Sequence, residues 1–178
     1  LGKRATAILQ DYHRKFPARP GMPKVELSSR LKLGRYAPAI WQRLSADGVL
    51  GEEGLAVRLS SHQVQINQDQ QAKIDAFLQS LAQSPYTPPS DFIPEPDVLN
   101  LLIEQQQVVK VSDGVVFSTA AYNEMVAKTT AYINDQGKVT LAGVRDLFQT
   151  SRKYAQAFLE HLDEKKITRR TGDERVLY

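Results

Sequence analysis

The sequence contains no cysteine, which rules out disulfide staples and thiolate metal sites and fits a reducing compartment. Its three histidines, His13, His62 and His161, stand far apart, and none has a second histidine three or four residues away. Metal ligation is therefore not expected. No apolar run approaches the roughly 18 residues that a membrane span needs, so no membrane partner is expected. There is no G-x-x-x-x-G-K-[ST] string to cradle phosphates and no G-x-S-x-G elbow. The acid pairs Glu52-Glu53 and Asp163-Glu164 fall at a turn and a helix end, where solvated charge is ordinary. No catalytic residue is assigned, and the chain is not expected to be an enzyme. Excess charge is scarce too. A net charge of +3 over 178 residues is too small to mark the whole chain as a polyanion binder. The chain opens at Leu1 without a methionine or a signal-like segment, and it reads as a piece of a longer protein.

What is present is a repeat. With 42% hydrophobic and 24% charged residues the chain can build packed cores. Three hairpins recur at a spacing suited to small domains: GVLGEEGLAVRL (48–59), QVVKVSDGVVFS (107–118) and KKITRRTGDERVLY (165–178). Each sets β-branched residues around a turn containing glycine. A lead helix precedes each unit, marked by Ala7, Ile8, Leu9 and Tyr12, by Ile74, Phe77, Leu78 and Leu81, and by Tyr122, Met125, Val126, Thr129 and Ile133. Pro-rich loops (16–23 and 84–96) follow the first two lead helices, while Gly137 closes the third.

Three helices and a two-stranded wing make a winged helix. The spacing predicts helices over 3–15, 24–32 and 36–47 in the first unit, and over 119–135, 140–148 and 152–165 in the last. From Asp97 to Val109 there is room for only one helix before the wing. The expected fold is mainly α with small β-hairpins: a winged helix over 1–66, a degenerate one over 67–118 and a C-terminal one over 119–178. Charge divides the chain in a similar way, with the acidic stretch running past residue 118. Residues 1–66 hold 11 Lys and Arg against 5 Asp and Glu, residues 67–137 hold 3 against 9, and residues 138–178 hold 9 against 6. The acidic middle unit, which lacks a reading helix, reads as a spacer.

The basic candidates gather near the C-terminus. Ala155, Phe158, Leu159 and Leu162 form an inward stripe, so Arg152, Lys153 and Gln156 project outward near a helix start capped by Thr150 or Ser151. Cations there oppose the helix dipole, and Glu160, Asp163 and Glu164 further along are also on the less favoured end. In the hairpin, a Gly172-Asp173 turn places Arg170 opposite Arg175, and like charges so placed destabilise a ribbon unless something negative lies over them. Asp173 is one candidate; a phosphate is another. Tyr154 either stacks on an unpaired base or packs half-buried. In the first unit Lys24, Arg30, Lys32, Arg35 and Arg43 either touch RNA or form an exposed face, and Trp41 reads as core.

The string VRDLFQTSRKYAQAFLEHLDEKKITRRTGDERVL (144–177) resembles the C-terminal winged helix of the bacterial selenocysteine-specific elongation factors, SelB. YHRKFPARPGMPKVEL (12–27) is similar to a segment nearer the start of the same extension. The resemblance implies a translational GTPase whose tandem winged helices bind a selenocysteine insertion hairpin in mRNA, downstream of a UGA codon. By motif it implies RNA contacts from Ser151, Arg152, Lys153, Arg169, Arg170, Gly172, Asp173 and Arg175. GTP and magnesium are expected in the N-terminal half of the full-length protein, with no cofactor in this part. Ribosome and selenocysteinyl-tRNA are then partners of the whole protein, the location is cytoplasmic, and the chain is a monomer. A tandem winged-helix DNA regulator is the alternative; it would normally dimerise over paired half-sites.

Overall fold

The computed structural model describes residues 1–178, and the chain forms two compact units, Leu1–Gln68 and Asp69–Tyr178.

In the first unit the elements run α1 (Gly2–Lys15), β1 (Met22–Pro23), α2 (Lys24–Leu31), a 3-10 turn (Gly34–Tyr36), α3 (Ala37–Ala46), β2 (Leu50–Glu53) and β3 (Ala56–Leu59). The inward face of α1 is Ala5, Leu9 and Tyr12, with His13 beside them. Ala7, expected on that face, is exposed. Together with Leu27, Trp41, Leu44 and Val57 these residues make one core, and each large side chain so buried contributes roughly 1.5–3 kcal/mol. The Pro-rich loop after α1 does more than stop a helix. Met22 is fully buried, and its short strand pairs with β3, Met22 against Val57, giving the order β1-β3-β2. Pro23 offers no N–H, so it is tolerated because this strand lies at the sheet edge. A Cβ on the neighbouring Gly21 would lie 2.6 Å from the Val57 carbonyl oxygen, so only glycine allows that approach.

The second unit contains α4 (Gln68–Gln83), α5 (Pro96–Glu104), β4 (Val108–Ser112), β5 (Val115–Ser118), α6 (Thr119–Gln136), β6 (Val139–Thr140), α7 (Leu141–Phe148), α8 (Arg152–Glu164), β7 (Thr168–Thr171) and β8 (Glu174–Leu177). Between α4 and α5 no helix intervenes, and α5 runs directly into the hairpin as α3 and α8 do. The helix this unit lacks is therefore its second, and not the reading helix that the spacing led one to expect missing. The last sheet has the order β6-β8-β7 and repeats the first sheet's topology, whereas the middle hairpin remains two-stranded.

Hairpin spacing places a boundary at residue 118, yet one core runs across it. Val111, Val115 and Phe117 cluster with Met125, Phe148, Phe158 and Leu162. Val115, Val116 and Phe117 are all buried, so β5 is covered on both faces. The Pro-rich loop of this unit is held as well. The Thr150 hydroxyl donates to the Tyr86 carbonyl at 2.6 Å, and the Tyr86 ring packs 5.2 Å from Phe148.

Candidate nucleic-acid interface

The last helix behaves as its stripe requires: Ala155, Phe158, Leu159 and Leu162 are buried, and Ser151, Arg152, Lys153 and Gln156 are exposed. Ser151 occupies the cap position without a side-chain hydrogen bond, and Thr150 is engaged with Tyr86. Hence α8 starts with backbone N–H groups that no side chain caps, beside two cations that make no ion pair. Such a start attracts an anion. The Lys153 ammonium lies 5.2 Å from the centre of the Tyr154 ring. That ring is half-buried and packs against the core. Gln156 donates to Glu160 at 2.9 Å, so it meets a ligand only by giving up that bond.

In the wing, Arg170 pairs with Arg175 and Thr171 with Glu174, leaving Gly172-Asp173 as the two-residue turn. Gly172 has φ +64°, a conformation that costs other residues about 1 kcal/mol or more. Arg169 and Arg170 are both exposed, and because successive strand residues point to opposite faces, they straddle the wing. The Arg170 Nε donates to the Gly172 carbonyl at 2.8 Å, which holds the guanidinium over the turn, 3.9 Å from the exposed Asp173 carboxylate. The turn residues Gly172 and Asp173 are themselves exposed at the wing tip.

Arg175 departs from its expected role. It is only 6% exposed. Its Nε donates to Asp163 Oδ2 at 3.3 Å, and the Thr168 hydroxyl donates to Asp163 Oδ1 at 2.6 Å. The negative group over the arginine pair is therefore partly the protein's own. Arg175 holds the wing against α8 and is closed to RNA. Asp163, which looks misplaced along the helix, is explained by the same contact. The lysine doublet Lys165-Lys166, outside the candidates that spacing singles out, adds to this surface: both are exposed, and Lys166 lies 5.9 Å from the Tyr178 ring centre.

Elsewhere the candidates thin out. In the first unit Lys24 pairs with Glu52 and Arg30 with Glu26, while Lys32, Arg35 and Arg43 make no ion pair. Its histidines, distant in sequence, meet: the His13 and His62 rings stack at 3.6 Å with 7° between planes. Metal–nitrogen bonds lie in the imidazole plane, so two parallel rings cannot share one ion. The His13 Nε2 accepts from the Leu59 N–H, and the His62 ring bonds to the Arg19 carbonyl. Burial, then His62 and Arg58, push the His13 pKa down to about 4.

Three helices with a wing, completed by a strand between the first two helices and present in full twice, define a tandem winged-helix protein whose last module carries an open basic surface. Two winged-helix family models of elongation factor SelB match, the second of the family's series over residues 6–59 and the third over residues 131–177, together more than half of the chain. The chain belongs to the SelB winged-helix family. A selenocysteine-specific elongation factor from Desulfomicrobium baculatum is 28% identical over 95% of this chain, which spans 29% of that relative's length. The solved bacterial selenocysteine-specific elongation factor EF-Sec is 12% identical over 99% of this chain and 30% of its own, with a TM-score of 0.56, a likeness of fold. The mRNA-binding domain of E. coli SelB, solved with SECIS RNA, aligns with 63% of this chain and 98% of its own at 18% identity and a TM-score of 0.46.

Proposed function

We propose that the last winged helix binds an mRNA hairpin, the selenocysteine insertion sequence, and so recruits a selenocysteine-specific elongation factor to a UGA codon. One observation carries this reading: Arg152 and Lys153 at the uncapped start of α8, with Arg169 and Arg170 on both faces of the wing, are exposed cations and three of them have no carboxylate partner. The family supports the biological setting. RNA suits the shape, because side chains cannot read the deep A-form major groove, whereas a narrow wing tip can enter a loop or a bulge. Ser151 and the Gly172-Asp173 turn would contact the RNA through backbone groups, with Gln156 joining once it leaves Glu160. The middle segment, with its buried hairpin, serves as a support. Ribosome, selenocysteinyl-tRNA, GTP and magnesium would belong to the rest of the protein, working in the cytoplasm as a monomer.

The test is a salt titration of binding to an insertion-sequence hairpin, with a bulge-deleted hairpin and a DNA duplex as controls. Binding confined to the bulged hairpin is expected, with Arg152→Ala and Arg169→Ala each shallowing the salt slope by roughly one unit. Equal binding to duplex DNA would favour the regulator alternative.

A further inference from the structure

The first winged helix repeats a detail of the last. From Tyr36 to Leu59, adding 118 gives each residue's counterpart: Ala37 and Ala155 are both buried, as are Leu44 and Leu162, and Gly54 and Gly172 both turn the wing with positive φ. By this correspondence Arg35-Tyr36 stands where Lys153-Tyr154 stands. Both cations sit 5.2 Å from the centre of the following ring. The middle segment serves as an internal contrast. Matching Leu102 to Leu162, and the left-handed Gln106 to Lys166, puts Ile93-Pro94 at that station, with neither cation nor aromatic ring.

The two tyrosines differ in exposure. Tyr154 is half-buried in its core, whereas Tyr36 is 60% exposed, and Trp41 and Leu44 fill the core beneath it. Packing therefore does not account for Tyr36. Its ring is held in place, since an Arg35 Nη2 donates to its hydroxyl at 3.1 Å while the guanidinium lies over the ring. The charge around it is uncompensated. Four of the unit's five acids are committed to Arg14, Lys24, Arg30 and Arg58, while Arg35 beside the ring and Lys32, four residues before the tyrosine in the chain, have no ion pair. Seven residues along the chain, Arg43 makes no ion pair, and with Ile40 and the fifth acid, Asp47, it lines a cavity of about 450 Å3 next to the start of α1.

We infer that Tyr36, with Arg35, Lys32 and Arg43, is a second RNA contact: a platform on which an unpaired base stacks while the cations meet its flanking phosphates. RNA is favoured over an apolar protein partner because this unit carries 11 Lys and Arg against 5 Asp and Glu. A stacked aromatic flanked by cations is sequence-tolerant and single-strand selective. The contact is separate from the hairpin site, and its test does not depend on that site working.

The whole chain is titrated with a blunt RNA hairpin and, separately, with a short uridine oligonucleotide carrying 4-thiouridine for photo-crosslinking. The oligonucleotide is expected to bind, and Tyr36→Ala and Arg35→Ala should each weaken it by roughly fivefold or more while leaving the blunt hairpin unchanged. Tyr36→Phe should keep most of that affinity, and the crosslink should map to the Arg35–Tyr36 segment. The unaltered Trp41 fluorescence and melting of each variant check its folding. Oligonucleotide binding that survives Tyr36→Ala, a crosslink elsewhere, or no oligonucleotide binding at all overturns the inference; the last result would leave Tyr36 as a protein-facing residue. Failure of the blunt hairpin alone, with the oligonucleotide still crosslinked at Tyr36, counts against the hairpin proposal and supports this one.

Discussion

The first and last wings share a backbone and have opposite surfaces. Their registers coincide, Glu52 against Val57 in one and Arg170 against Arg175 in the other, and both turn on a glycine with positive φ. Gly51-Glu52-Glu53 stands where Arg169-Arg170-Thr171 stands, and the exposed tip residue is Leu55 in one and Asp173 in the other. The first wing's acids are tied to Lys24 and Arg58, so that wing offers phosphate no uncompensated cation. Fold alone does not make a winged helix a nucleic-acid reader; the side chains at the wing and at the start of the third helix do. The same comparison explains Arg175. It occupies the place of the fully buried Val57, and Asp163 stands where the first unit has Ser45.

The largest expected effect comes from breaking that substitution in half. Arg175→Val should destabilise the second unit by about 3 kcal/mol, because it strands a half-buried carboxylate. Converting both positions to their first-wing counterparts, Asp163→Ser with Arg175→Val, should recover most of the loss, and denaturant melts of the two single variants and the double give the coupling directly. Next is charge: Arg170→Glu, the first wing's residue, should weaken hairpin binding by about 10- to 100-fold, the scale of one lost charge contact, without altering the melt.

Acid should weaken the first unit most. His13 has a folded pKa of about 4 against the ordinary 6.5, so its unfolded form gains a proton first. Stability of the first unit is then complete above pH 6.5 and falls as pH drops towards 4, on the order of 1–2 kcal/mol lost by pH 5. His13→Gln, which keeps an acceptor for the Leu59 N–H, should flatten that slope in a pH series of melts. His161 is also pushed down, by burial and then Lys165, which adds a response of the same sign in the second unit. Smallest is the shared turn: Gly54→Ala and Gly172→Ala should each cost about 1 kcal/mol, and a clear inequality would mean the two turns are not equivalent.

Much of this architecture is legible in the sequence, because helix periodicity and hairpin turns are local signals. The stripe Ala155–Leu162, the shortened middle unit and the exposure of Arg152, Lys153, Arg169 and Arg170 all follow from spacing. What was not legible depends on contacts distant in sequence. Met22–Pro23 and Val139–Thr140 are strands only because β3 and β8 lie beside them, and two residues carry no period. Arg175 stands opposite the exposed Arg170 in the hairpin, which says nothing of its burial, and only the approach of Asp163 makes that burial tolerable. His13 and His62 meet across 49 residues, beyond any local pattern.

The most direct measurement is a reciprocal exchange of the wings' charge. Arg169→Gly with Arg170→Glu in the last wing is compared with Gly51→Arg and Glu52→Arg in the first, each titrated with the bulged hairpin at two salt concentrations. Loss of tight binding in the first variant, with its fold and the other variant's tight binding both intact, is the expected result. Unchanged hairpin affinity in the first variant would contradict the account, because it would mean that the exposed wing arginines do not hold the RNA.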